Sequence, residues 1–294
     1  MKKLIIMLAC CAALSNVQAA VNPVDQQDFA NSKLSVLLTN GTRIAYVESG
    51  NPNGPPILLI HGYTDNARSW SLMTPYLNQK YRIISMDLRG HGKSSTPECC
   101  YTLQDLSYDA KLLLDKLGIE KAIVVGHSLG SMVTQVLAER FPERVSKVVL
   151  ISSTSETARV SDANGWLATE IGKLQQPIDP NSQFMLDWYT NPNEVNAEFL
   201  EKERNESAAV PVNVWRSILV ETQTSEFGRQ LKYLYAPALI MHGSKDPLFD
   251  GQDQENLKLG LPTAKFIEFP NQGHNIMWEE PKAVAEAINA FISN

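Results

Sequence analysis

The chain has 294 residues, 44% of them hydrophobic and 20% charged, with a formal net charge of -6. Such a composition belongs to a globular protein with a substantial core and excludes collagen-like and disordered classes. The acidic balance, with no basic run, argues against nucleic acid and anionic membranes as partners.

The first twenty residues stand apart. Lys2 and Lys3 precede an apolar run from Leu4 to Leu14, and Val17-Gln18-Ala19 supplies small residues at a cleavage position. This is the pattern of a secretory signal peptide over 1–20, cut after Ala19 or Ala20, and it implies a secreted or periplasmic protein. The apolar run is too short to span a bilayer comfortably, and no later stretch is apolar enough to do so. Lipid anchoring at Cys10 is the alternative, resting on the poor lipoprotein box Met7-Leu8-Ala9. Without the two lysines the net charge is -8, from 24 basic and 32 acidic residues.

Beyond this segment the only cysteines are the neighbours Cys99 and Cys100, and no zinc spacing is present. An oxidising compartment favours a bridge between them. Adjacent α-carbons, however, lie about 3.8 Å apart across a trans peptide, below the usual disulfide range. A vicinal bridge and two free thiols both stay open.

A polar lead-in runs to about Ser32. Val36 to Thr39 then faces Arg43 to Val47 across Asn40-Gly41, a strong hairpin signal. Short runs that are apolar on every residue follow at Ile57 to Ile60, Ile83-Ile84, Ala122 to Val125, Val148 to Ile151, Ala238 to Met241 and Phe266 to Phe269. Runs of this kind are strands covered on both faces, hence a mostly parallel sheet. Helices alternate with them. Leu103, Leu106, Ala110, Leu113, Leu114 and Leu117 keep helical spacing between Thr102 as cap and Gly118 as stop. Leu129 to Arg140 is a second helix, and Pro281 opens a last one with Val284, Ala287, Ile288 and Phe291 on one face.

The alternation breaks between Ser153 and Tyr235, a span far longer than an ordinary crossover. It holds Trp166, Trp188 and Trp215 together with Phe184, Tyr189 and Phe199. The expected organisation is a signal peptide over 1–20, an α/β core over 21–153 and 236–294, and a helical cap over 154–235.

Gly126-His127-Ser128-Leu129-Gly130 matches G-x-S-x-G, follows an apolar strand and opens a helix, the setting of a nucleophile elbow. A serine hydroxyl is a weak nucleophile and needs a base. Of the five histidines, His274 lies in a loop after the last strand, at the same sheet edge as Ser128. His127 is too close to the nucleophile in sequence to turn onto it and is expected to pack beside the elbow. The carboxylate that orients the base is Asp246, directly after the strand Ala238 to Met241, which gives the chain order Ser, Asp, His. Asp250 and Asp253 lie further from the strand end, where a solvated-loop role is expected. His61-Gly62-Tyr63 follows an early strand, so the backbone N–H groups of Tyr63 and Leu129 are the candidate oxyanion donors. His61 itself is expected to be a structural hydrogen-bonding residue.

These residues together resemble the α/β-hydrolase superfamily over nearly all of the chain after residue 20. The resemblance includes Asp87-Leu88-Arg89-Gly90-His91-Gly92-Lys93-Ser94, characteristic of a branch holding esterases, lactonases, perhydrolases and carbon–carbon bond hydrolases. One departure is Ser131, where many relatives carry glycine, which suggests a slightly looser helix. The resemblance implies an eight-stranded, mostly parallel sheet with flanking helices and a helical cap. It implies catalysis by Ser128, His274 and Asp246 on a small ester or lactone, without metal or organic cofactor. Trp166, Trp188, Tyr189 and Trp215 are the candidate substrate-binding residues, since pockets are usually apolar. Lactone, perhydrolase and carbon–carbon bond chemistry on the same triad are alternatives, as is a ligand-binding receptor on this fold. The oligomeric state is not legible.

Overall fold

The computed structural model describes residues 23–156 and 165–293; the expected signal peptide lies outside the described residues. Eight strands form one sheet: β1 (Leu34–Leu37), β2 (Arg43–Gly50), β3 (Pro56–Ile60), β4 (Arg82–Met86), β5 (Ala122–His127), β6 (Val145–Ile151), β7 (Ala238–Gly243) and β8 (Lys265–Phe269). Their spatial order is β1-β2-β4-β3-β5-β6-β7-β8. β1 and β2 pair antiparallel, and β2 joins β4 antiparallel. All pairings from β4 through β8 are parallel.

The continuous apolar runs have their physical cause here. Every residue of β5 and β7 is buried, because helices cover both faces of the sheet. At the antiparallel edge, Gly41 takes φ 85° in the β1–β2 turn, which a side chain would oppose.

Helix α1 (Leu103–Lys116) begins at a reciprocal cap. Thr102 Oγ1 accepts from the Asp105 N–H at 3.1 Å, and the Asp105 carboxylate accepts from the Thr102 N–H at 3.2 Å. Helix α2 (Leu129–Arg140) follows β5 directly and is buried along nearly its whole length. Between β6 and β7 the described residues form no strand. They form α3 (Trp166–Lys173), α4 (Gln183–Trp188), α5 (Ala197–Ala208), α6 (Val212–Thr224) and a 3-10 segment at Gly228–Tyr233. The chain closes with α7 (Gly251–Gly260), the single turn α8 (Ile276–Glu279) and α9 (Pro281–Ile292). Among the described residues no helix is long and apolar enough to cross a membrane.

The cap is tied to the core by a buried polar network. Glu203 of α5 accepts from the Asn66 N–H at 3.1 Å, and Glu206 accepts from Arg68 through Nε and Nη2. The Asp87 to Ser94 segment is a braced turn. Buried Asp87 accepts from Lys33 Nζ at 2.9 Å, the Ala67 N–H at 2.8 Å and the Lys93 N–H at 2.7 Å. Arg89 pairs with Asp109 through the Nε–Nη2 edge of its guanidinium and donates from Nη1 to the Cys100 carbonyl. Of the two states left open for Cys99 and Cys100, the structure shows the vicinal disulfide.

Candidate active site

Parallel strands deliver their following loops to one edge, and four of those loops meet. Ser128 follows β5 directly at φ 51°, ψ -119°, a conformation that L side chains rarely adopt and that holds the hydroxyl out at the turn. The turn is possible only between glycines. A Cβ on Gly126 would lie 2.2 Å from the Gly130 carbonyl oxygen, and one on Gly130 would lie 2.1 Å from that of Ile60.

Ser131 stabilises the elbow. It is fully buried, and its Oγ lies 2.5 Å from the Ser128 carbonyl oxygen and 2.6 Å from Ser153 Oγ. The expectation of looser packing at this departure is therefore corrected: the hydroxyl fills the place and ties the elbow to the end of β6.

His274 sits in the loop after β8. Its Nδ1–H faces both oxygens of Asp246, at 2.9 and 2.8 Å. Asp246 Oδ1 also accepts from the N–H groups of Leu248 (2.9 Å) and Phe249 (3.1 Å), which fix the carboxylate. With its proton on Nδ1, the ring presents Nε2 as a lone pair, the form a general base requires. The His274 carbonyl accepts from Ser152 Oγ at 2.6 Å and from His127 Nε2 at 3.1 Å. The base is thus held at its backbone and at its ring.

Asp250 is exposed in the loop before α7, as expected, whereas Asp253 is not a solvated-loop residue. Asp250 caps α7, and Asp253 is buried with its carboxylate 2.7 Å from Thr154 Oγ1. Both serve helix initiation, and Asp253 also attaches the start of the cap.

The other histidines near the edge are structural. His61 Nδ1 donates to the Gly62 carbonyl at 2.8 Å, and its Nε2 accepts from the Leu88 N–H at 2.9 Å. Burial first, then neighbouring His91, keeps it neutral well below the usual histidine range. His127 is likewise pushed far down by burial and then by His274, whose ring lies 4.9 Å away.

Ser128 and His274 line one cavity of about 580 Å³ together with Tyr63, Asp65, Trp166, Trp188, Tyr189 and Trp278. Trp166 stands at the surface, 37% exposed. Trp188 donates from Nε1 to Thr64 Oγ1 at 3.3 Å, and Tyr189 lies parallel to Trp278 at 6.0 Å between ring centres. Trp215, expected to bind substrate, does not line this cavity. It is fully buried behind the wall, against the rings of Tyr63, Phe184 and Trp188. Aromatic composition marks an apolar segment, but not which rings face outward from its core. The Tyr63 hydroxyl donates to the Trp215 carbonyl, joining the loop after β3 to α6. Leu129 is the first residue of α2, where amides have no intrahelical partner.

Sequence reading missed Asp65 and Trp278. Asp65 lies two residues beyond Tyr63 on a loop that was read for its backbone alone. Trp278 lies one turn after His274 at the same sheet edge. Both follow a flagged residue closely, and that proximity was the available signal.

An α/β-hydrolase fold family model matches residues 55–281. The chain belongs to the α/β-hydrolase family. Among the relatives of this α/β hydrolase is 3-oxoadipate enol-lactonase 2 of Acinetobacter baylyi, 27% identical over 258 residues, covering 87% of this chain and 95% of that protein. Another is a 2-hydroxy-6-oxononadienedioate/2-hydroxy-6-oxononatrienedioate hydrolase of Paraburkholderia phymatum, 28% identical over 283 residues, 92% and 98% of the two chains. A solved esterase from Exiguobacterium antarcticum superposes with a TM-score of 0.79 at 18% identity, covering 88% of this chain and 99% of its own, a likeness of fold.

Proposed function

We propose that this α/β hydrolase is an exported serine hydrolase that cleaves carboxylic esters of small, mainly apolar substrates through an acyl-enzyme. The observation that carries the reading is the His274–Asp246 pair beside a serine at positive φ, with Ser128 and His274 lining one largely aromatic cavity. Ser128 attacks the ester carbonyl while His274 Nε2 takes its proton, and Asp246 balances the imidazolium that forms. The amides of Tyr63 and Leu129 receive the oxyanion. His274 then protonates the leaving alkoxide, and water activated by the same ring releases the acid.

A lactone is an internal ester and reacts by the same steps; the enol-lactonase among the relatives supports including lactones. Trp166, Trp188 and Tyr189 supply the apolar wall that receives the acyl group. Export is supported by the N-terminal pattern of Lys2-Lys3, apolar run and small residues, and by the Cys99–Cys100 bridge.

The test is a screen of purified protein against acyl esters of graded length and lactones, beside Ser128→Ala. Wild type is expected to turn over esters and to take a covalent label from a serine-reactive phosphonate, and Ser128→Ala to lose both. Full activity in Ser128→Ala overturns the mechanism. Finding Met1 on the active protein in the cytosol overturns export.

A further inference from the structure

We propose that Asp65 is the specificity-determining residue of this cavity, turning away acyl groups that carry a carboxylate and selecting neutral ones. The proposal rests on the ester-hydrolase reading above and names its substrate class.

Asp65 lines the cavity with Ser128, yet its side chain is almost entirely buried. Its polar contacts contain no cation. Oδ1 accepts from the Tyr189 hydroxyl at 3.2 Å, and Oδ2 accepts weakly from Ser69 Oγ at 3.5 Å. Oδ2 also lies 3.9 Å from His127 Nδ1. That nitrogen is buried without a hydrogen-bond partner, and because Nε2 donates to the His274 carbonyl, Nδ1 carries a lone pair rather than a proton. Buried Lys33 and Arg68 are engaged elsewhere, Lys33 with Asp87 and Arg68 with Glu206. Lys245 is the one lysine or arginine among the cavity residues, and it is exposed, as is the acidic Asp187. A substrate carboxylate in the buried part of the cavity therefore meets a second carboxyl with no counterion, and like charges in a desolvated site are strongly disfavoured.

The titratable groups facing Asp65 come from four elements. They are His127 at the end of β5, His274 in the loop after β8, Tyr189 just past α4, and Glu203 on α5. Burial keeps His127 neutral and pushes Tyr189 and Glu203 well above their usual ranges. Burial also raises Asp65 to about 7, against the lowering effect of its hydrogen bonds and of His274. Asp65 is therefore neutral on the acid side of that value and anionic above it, so rejection of carboxylates grows as pH rises through it. His274 acts on the chemical step of any ester, and an effect common to both substrates cancels in their ratio.

The experiment compares kcat/KM for p-nitrophenyl hemiadipate with that for p-nitrophenyl 6-methylheptanoate, its neutral isostere. Wild type at pH 8 is expected to favour the neutral ester by about 30-fold or more. Asp65→Asn should shrink that preference by about tenfold, and wild type moved to pH 6 should do so in the same direction. An unchanged ratio in a folded Asp65→Asn protein overturns the proposal, as does an equal loss on both esters, which is the mark of a structural role. Should Asp65→Asn fail to fold, a flat wild-type ratio between pH 6 and 8 overturns it alone. Phosphonate labelling of Ser128 separates the two readings. Labelled, active enzyme with a flat ratio removes only the role of Asp65, whereas wild type that neither labels nor turns over either ester removes the hydrolase reading and this inference with it.

Discussion

Replacing Asp246 by asparagine isolates what the carboxylate does for its histidine. The perturbation is almost isosteric, and the structure dictates which way the amide must face. Oδ1 of Asp246 accepts from the N–H groups of Leu248 and Phe249, so the asparagine carbonyl oxygen must stay there. The amide NH2 then occupies the place of Oδ2, 2.8 Å from His274 Nδ1. The NH2 takes the nearer of the two contacts of Nδ1, and its carbonyl oxygen is already shared by two backbone donors, so His274 favours Nδ1 as an acceptor with its proton on Nε2. The nitrogen that should receive the Ser128 proton is then already occupied. A tautomer switch of this kind costs about 10⁴ in kcat where a Ser-His-Asp triad operates, which is roughly 5 kcal/mol of transition-state stabilisation. The assay is steady-state hydrolysis of a chromogenic ester, with phosphonate labelling of Ser128 slowed in parallel. Thermal stability should change little, because both backbone hydrogen bonds to Oδ1 survive. An Asp246→Asn enzyme within tenfold of wild type would refute the reasoning.

Trp215→Ala should destabilise the protein by about 3–5 kcal/mol, the usual cost of emptying a fully buried aromatic site, and thermal denaturation that leaves the midpoint in place would count against its role in the cap core. Trp188→Ala, in the cavity wall, should instead extend the acyl-length profile toward bulkier groups with Ser128 labelling retained, as each methylene in an apolar pocket is worth about 1–3 kcal/mol; an unaltered profile removes it from the substrate wall. Glu139 on α2 has a buried, unpartnered Oε1 and is raised by burial to about 7. A carboxyl raised in the folded state loses stability as pH rises from its unfolded value through the folded one. Glu139→Gln should therefore melt about 2 °C higher than wild type at pH 8 and near it at pH 5, and equal midpoints at pH 8 would contradict the assignment.

The parts of this molecule that were legible in the sequence are those with a local physical cause. Strands buried on both faces must be apolar on every residue, so β3, β5, β6 and β7 announce themselves as runs. The elbow needs glycine two residues either side of its serine because backbone carbonyls occupy the space a Cβ would take. Thr102 and Asp105 mark the start of α1 through bonds spanning three residues. What escaped depends on partners distant in the chain. Trp215 and Trp188 are both cap tryptophans that pack against Tyr63 and Phe184, and only the folded cap decides that the first is fully buried and the second lines the cavity. Asp253 resembles a solvated acid until Thr154, 99 positions earlier, meets it. Asp65 becomes distinctive only once Tyr189 arrives from the cap and His127 from the elbow.

The bond from the Tyr63 hydroxyl to the Trp215 carbonyl has a bearing on how such enzymes can be recombined. Tyr63 gives its phenol to the cap, and its backbone amide is the proposed oxyanion donor, so one residue is tied to both halves. The acceptor is a main-chain oxygen, which no point mutation in α6 can delete, although a change of helix position can. A cap grafted from another member of the family would have to bring a carbonyl to that spot. Otherwise the buried phenol is left unsatisfied and the loop that carries the amide loses its tether. The lid of this protein is therefore not an interchangeable module. Its evolution and its engineering are constrained at a residue that joins the cap to the loop proposed to hold the oxyanion.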